Sequence, residues 1–197
     1  DLDNVLYEIA NESHNGSLDW QGRMVDFIHE YEGGLPKQHP VGITVTFGDA
    51  WQAGLNRLLA KSPADWISPN REAAEGRSYR DNPPPNHGRK VILTDTDHYF
   101  GVKCKDYSWA WKSFCRGHNL LYMDMWTVER DDAKREAVRR TLGHVGRYAE
   151  RMDLAAVAPR GDLTSTTFCL AAPGQEYLVY APYGGPITVD LSDALGQ

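Results

Sequence analysis

The chain has 197 residues, a net charge of −6 and 24 % charged residues. This length suits one domain, or one domain with part of a second. An acidic chain without a dense lysine and arginine cluster is a poor candidate for binding nucleic acid, so we expect no nucleic-acid partner. No apolar stretch is long enough to cross a membrane, and we expect no membrane partner either. Cys104, Cys115 and Cys169 have no zinc-site spacing, which leaves free thiols and one disulfide both open.

The first predicted strand covers roughly residues 5–10 and runs directly into Asn11 and Glu12. Small polar residues follow, so the pattern indicates a buried strand that delivers a carboxylate to a loop. In parallel α/β proteins, the carboxyl ends of the strands are where chemistry takes place. Ser17 is expected to cap a helix whose apolar residues recur at helical spacing: Trp20, Met24, Phe27, Ile28 and Tyr31.

Further strands are predicted in residues 39–47, 64–68, 90–95 and 119–126. The strand starts are roughly 25–35 residues apart, which is typical of βα units. The sequence therefore predicts an α/β fold, either a small doubly wound sheet or the second part of an eight-stranded barrel. A long helix is predicted over residues 132–152.

The character of the sequence changes after this helix. Short strands are predicted in residues 164–170, 176–180 and 187–191, with Gly- and Pro-containing turns between them. This pattern is typical of the start of an antiparallel β-module. We therefore divide the chain into a barrel-like domain, residues 1–153, and a truncated β-module, residues 154–197.

Three of the predicted parallel strands end in carboxylates, namely Glu12, the pair Asp95 and Asp97, and Asp124. A carboxyl pair about 5–5.5 Å apart suits a retaining glycosidase, and a separation of about 6.5–9.5 Å suits an inverting one. The Asn11 amide beside Glu12 could bind a sugar 2-hydroxyl group. Aromatic residues near these strand ends suit sugar stacking or ordinary packing: Trp20, Phe47, Trp51, Tyr99, Phe100 and Trp126.

Several segments in order carry a family resemblance: NVLYEIANES, HPVGITVTF, KVILTDTDHYFG, WAWKSFCRGHNLLYMDMW, and the segment from RYAERMDL to YAPYGG. The chain resembles apiosidase-like and cellulase-like TIM-barrel glycoside hydrolases, a bacterial group that often carries a C-terminal collagen-binding β-domain. The resemblance implies strands four to eight of a partial (β/α)8 barrel followed by the start of the β-module. It also implies a secreted or periplasmic enzyme, a carbohydrate substrate and no cofactor.

The resemblance assigns roles to particular residues. Glu12, preceded by Asn11, matches the acid/base at the end of the fourth strand. The nucleophile of the family is normally a Glu at the end of the seventh strand, where this chain has Asp97 as first and Asp95 as second choice. An Asp is one methylene shorter, so it could widen the carboxyl gap, shift the mechanism or mark an inactive relative. The expected pocket lining is His14, Phe47, His98, Tyr99, Asp124 and Trp126.

If residue 5 begins the fourth strand, three βα units of a complete barrel are absent. We expect either a fragment of a larger enzyme or a short protein that closes its sheet by pairing with a second copy. An open parallel sheet leaves an unpaired edge, so we expect a homo-oligomer if the chain is stable alone.

Two rival functions stay open at this stage. A metal-dependent hydrolase could use Asp95, Asp97 and His98 with His14 or Asp124, although no HExxH or HxH motif occurs. A non-catalytic carbohydrate-binding or interaction protein is the other alternative, and the missing strands favour it. The leading hypothesis is a glycoside-hydrolase-like domain with a two-carboxylate retaining mechanism.

Overall fold

A computed structural model describes residues 2–44, 53–71, 78–100, 106–124 and 132–194. The strands are β1 (Tyr7–Glu8), β2 (Val41–Thr44), β3 (Trp66–Ser68), β4 (Val91–Asp95), β5 (Asn119–Leu121), β6 (Ala158–Pro159), β7 (Cys169–Ala172) and β8 (Glu176–Val179). The helices are α1 (Leu18–Glu32), α2 (Ala53–Lys61), α3 (Thr96–Phe100), α4 (Ser108–Phe114) and α5 (Asp132–Ala149). The predicted α/β class is confirmed. None of the described helices has the length and apolar character needed to cross a membrane.

The first five strands form one sheet in the order β1-β2-β3-β4-β5, and each strand pairs parallel with the next. A doubly wound sheet reverses its strand order at a switch point. The order of these five described strands contains no such reversal. Their carboxyl ends consequently lie along one edge of the sheet.

The strands are shorter than the sequence predicts. β2 ends its described part at Thr44, since residues 45–52 lie outside the described ranges. Residues 187–191, predicted as a strand, contribute a single bridge between Val189 and Thr164. The unpredicted β6 pairs antiparallel with β7, and β7 with β8. The sequence does not predict β6, because Pro159 has no N–H to donate in a sheet. Proline is tolerated in β6 because β6 is an edge strand.

The two faces of the parallel sheet differ in polarity. Val41, Ile43 and Ile67 point into a core shared with Val25 of α1 and Leu59 of α2. The opposite face carries a second set of side chains from paired positions: Glu8, Gly42, Thr44, Trp66 and Ser68. The polar members of this set lie toward the carboxyl edge, so the sheet presents hydrogen-bonding groups there and an apolar surface to its helices.

Side-chain hydrogen bonds lie at both ends of helix α1, but the one at its start is not a cap. Ser17 occupies the predicted cap position, but its hydroxyl donates to the His14 carbonyl at 2.6 Å rather than capping the helix. At the other end, buried Glu32 accepts hydrogen bonds from the backbone N–H and Nδ1 of His39, at 2.6 and 2.9 Å. The two hydrogen bonds between Glu32 and His39 tie the end of α1 to the residues just before β2.

The antiparallel strands pack against α4 and its C-terminal turn. The Arg116 guanidinium lies 4.9 Å from the centre of the Phe168 ring and donates to Thr167 Oγ1 at 3.0 Å. Leu170 of β7 belongs to the same apolar core as the parallel sheet. Cys115 and Cys169 are free and buried, whereas Cys104 lies outside the described residues.

Replacement of Gly42 by alanine should destabilise the fold, because a Cβ there would lie 1.9 Å from Cε2 of the Trp66 indole. Trp66 is 5 % exposed and has little room to move. Overpacking of this kind costs about 1–3 kcal/mol of unfolding free energy. The matched control is Gly143→Ala in α5, where the added methyl group would have no described atom within 4 Å apart from the neighbouring residues and backbone of the helix itself. That change should stabilise by about 0.5–1 kcal/mol. Urea unfolding of both variants measures these effects, and equal effects would contradict the packing argument.

Candidate functional site

Glu12 follows β1 in a turn and has a left-handed backbone, with φ of 44°. Its N–H donates to Oγ1 of Thr44 at the end of β2, at 3.2 Å. A non-glycine residue in this conformation costs about 1–3 kcal/mol, so surrounding contacts must hold it there. The backbone of Glu12 is therefore fixed by the neighbouring strand.

The Glu12 carboxyl group faces His98. Its Oε1 lies 3.5 Å from His98 Nε2, and the His98 side chain is 5 % exposed. On the other side of the imidazole, Nδ1 lies 3.0 Å from Ser68 Oγ. This connectivity is that of a serine, histidine and acid triad. Ser68 is 2 % exposed, however, so its hydroxyl is closed to a substrate and serves to orient His98.

Asp95 and Asp97 lie at the junction of β4 and α3. Asp95 is buried, and its Oδ1 accepts the Asp97 N–H at 2.9 Å. Asp97 lies in the first turn of α3 and is half-buried. Of the two, Asp97 is the carboxylate that a substrate can reach, and Asp95 fixes its backbone.

The clustering of these acids changes their proton affinity. Burial raises the pKa of Glu12, and the charge of His98 opposes that rise. The charges of Asp97, Asp95 and Glu8 raise it further. Burial also raises the pKa of Asp95, and the charge of Asp97 adds to this rise. The hydrogen bond from the Asp97 N–H and the charge of His98 act in the opposite direction, but the pKa is raised on balance. A raised pKa suits a carboxyl group that donates a proton.

The remaining predicted site residues lie in different surroundings. Asn11 is exposed beside Glu12, and His14 is exposed, with Nδ1 accepting the nearby Gly16 N–H at 3.0 Å. Tyr99 is in the apolar core and stacks on Tyr79, with 5.9 Å between ring centres. Phe47 and Trp126 lie outside the described residues.

Asp124 is held by two arginines of α5. Its Oδ1 accepts from Arg135 Nε at 2.7 Å, and its Oδ2 accepts from Arg139 Nε at 2.6 Å. Burial alone would raise the pKa of Asp124, but the hydrogen bonds and charges of the two arginines outweigh it, so the pKa is lowered. Asp124 is thus an ionised partner of two cations, unlike Glu12.

Two supporting residues, Thr44 and Ser68, are missing from the set that the sequence suggests. Their strands are short, and a single hydroxyl in a β-branched or mixed run is not distinctive. Only their position could have indicated Thr44 and Ser68, since each is the last residue of its strand and the two are paired in register. That pairing becomes visible only once the strand order is known.

A cleft of about 540 Å³ lies at the opposite, amino end of the sheet. Its lining comes from the loop before β4, the start of β5 and the region of β6: residues 86–88, 117–119 and 157–159 among others. The carboxylates do not line it. In the described parts of the chain, no group of three or more His, Cys, Asp or Glu side chains could hold a metal ion.

Comparison with protein-family models, with curated proteins and with solved structures finds no match to this chain. We therefore infer a function from the geometry around Glu12 and from the chemistry of its neighbours.

Glu12→Gln and Glu32→Gln should change the pH dependence of stability in opposite directions. The pKa of Glu12 is raised in the folded protein, so wild type loses stability as pH rises through the ordinary and then the raised pKa. The pKa of Glu32 is lowered, chiefly by the backbone and side-chain hydrogen bonds from His39, so wild type loses stability as pH falls.

Between about pH 3 and 6, Glu12→Gln should therefore gain stability relative to wild type as pH rises, and Glu32→Gln should lose it. Urea unfolding at several pH values measures both slopes. Slopes of the same sign would contradict the assigned electrostatics.

Proposed function

We propose that this chain is a glycoside-hydrolase-like domain that cleaves O-glycosidic bonds of an oligo- or polysaccharide with two carboxyl groups. The observation that supports this best is the Glu12 carboxyl group of raised pKa in contact with His98. Asp97 is close enough for its charge to act on Glu12. Paired carboxyl groups at the carboxyl ends of parallel strands suit this chemistry.

In the proposed reaction, protonated Glu12 donates its proton to the glycosidic oxygen as the bond to the anomeric carbon breaks. The Asp97 carboxylate attacks the anomeric carbon and forms a glycosyl ester. Ionised Glu12 then removes a proton from water, whose oxygen displaces Asp97 from the sugar. The net change is addition of one water molecule across the glycosidic bond, with retained configuration.

His98 would adjust the proton transfer in both steps. Its Nε2 faces the Glu12 carboxyl group, and Ser68 fixes the ring through Nδ1. The charge of His98 favours the ionised form of Glu12, which the second step uses. Burial and the neighbouring carboxylates favour the protonated form that the first step uses.

We also propose a more specific fold for this chain. The strictly sequential parallel order supports a segment of a (β/α)8 barrel, with β1 to β5 as strands four to eight. The antiparallel strands β6, β7 and β8 would belong to a β-module. The open edge of β1 would be covered by further strands or by a second copy of the chain.

A non-catalytic carbohydrate-binding protein is the second candidate. The exposed position of Asn11 beside Glu12 would serve sugar binding without hydrolysis. The metal-dependent alternative has less support, because the described acids and histidines do not form a ligand set.

Hydrolysis of a panel of aryl glycosides and oligosaccharides tests the proposal. Glu12→Gln should lower kcat about 10²- to 10⁴-fold on oligosaccharides, because the leaving group then receives no proton. The decrease in kcat of Glu12→Gln should be smaller on dinitrophenyl glycosides, because their leaving group needs no proton. Asp97→Asn should lose activity on both substrate classes.

The matched control is Asp162→Asn, an exposed carboxylate paired with Arg160 beside β6. It should retain wild-type kcat. Product configuration, followed by proton NMR, should be retained. Absence of hydrolysis by wild type together with measurable sugar binding would replace the catalytic proposal by the binding alternative.

A further inference from the structure

The contacts of Thr44 place it between two acids of the sheet's carboxyl edge. Its Oγ1 accepts the Glu12 N–H at 3.2 Å and donates to Glu8 Oε1 at 2.9 Å. The Ala10 carbonyl oxygen lies 3.4 Å from the same hydroxyl, a longer and weaker contact. The Thr44 hydroxyl thus contacts Glu8 in β1, Ala10 just before the turn and Glu12 within the turn.

The direction of these hydrogen bonds is fixed by chemistry. A backbone N–H can only donate, so Thr44 Oγ1 accepts from Glu12. Its single proton is then available to Glu8, whose carboxylate accepts. Glu8 consequently orients the hydroxyl so that its lone pair faces Glu12.

The burial of Thr44 makes this arrangement hard to replace. Thr44 is 6 % exposed, so water has little access to its hydroxyl. Without that acceptor, the Glu12 N–H would lose its partner in the sheet. The left-handed backbone of Glu12, at φ of 44°, would then lack the contact that holds it.

We propose that Thr44 is a positioning residue that holds Glu12 in its left-handed conformation and so keeps the Glu12 carboxyl group at His98. This inference rests on the proposed function for its catalytic consequence. The positioning itself is independent of any substrate. Glu8 is the second member of the arrangement, because it orients the Thr44 hydroxyl.

The structural arm of the test is carbon-13 NMR titration of Glu12 in the folded protein. Thr44→Val removes the hydroxyl and nearly preserves shape, so the Glu12 carboxyl group should move toward solvent and its pKa should fall toward the ordinary value. Thr44→Ser retains the hydroxyl and should restore the wild-type titration. An unchanged Glu12 titration in folded Thr44→Val would overturn the proposal.

Thr94→Val is the matched control. Thr94 is also a buried threonine of a parallel strand, but its hydroxyl donates to the Asn119 carbonyl at 3.0 Å rather than contacting Glu12. It should leave the Glu12 titration unchanged, whatever its effect on stability. A shift of Glu12 in this control equal to that in Thr44→Val would show a general loosening of the sheet and overturn the specific role of Thr44.

The catalytic arm uses the same variants on any glycoside that wild type hydrolyses. Thr44→Val should lower kcat about 10- to 100-fold with a small change in KM, because a displacement of about 1 Å can cost two orders of magnitude. Thr44→Ser should retain most of the wild-type kcat. If wild type hydrolyses nothing, the proposed function fails while the titration still decides the role of Thr44. If wild type is active and Thr44→Val has the same kcat, the positioning role is overturned and the proposed function stands.

Discussion

Parallel pairing of consecutive strands is the constraint on which the remaining structure depends. It brings the carboxyl ends of β1 to β5 to one edge, so residues far apart in the chain become neighbours there. Glu12 and His98 illustrate this, since 86 positions separate them and their side chains lie 3.5 Å apart. The carboxyl edge holds Glu12, Asp95 and Asp97, while the helix-covered face supplies apolar packing.

Two strand ends carry carboxylates in opposite electrostatic surroundings. Asp124 faces Arg135 and Arg139, and the pKa of its carboxyl group is lowered. Glu12 has one partly opposing imidazole and several acidic neighbours, and its pKa is raised. Chemically similar side chains therefore differ in proton affinity, because a raised pKa favours the protonated form of a carboxyl group and a lowered pKa favours the ionised form.

The sequence predicts the α/β class, the approximate strand positions and the approach of Glu12 to the residues after β4. It does so because apolar runs followed by polar clusters mark strand ends locally. It could not choose between a doubly wound and a sequential sheet, since strand order depends on long-range pairing. It could not reveal Thr44 or Ser68 either, because their importance comes from register and hydroxyl direction, neither of which has a local pattern.

The strained backbone of Glu12 links the fold to the site. A left-handed glutamate is retained only where other contacts compensate its cost of about 1–3 kcal/mol. A glycine would adopt this conformation without strain but would supply no carboxyl group. The position therefore combines an unfavourable backbone with an acidic side chain among other acids. Both features oppose stability, and both are understandable if the place of this carboxyl group matters more than its contribution to folding.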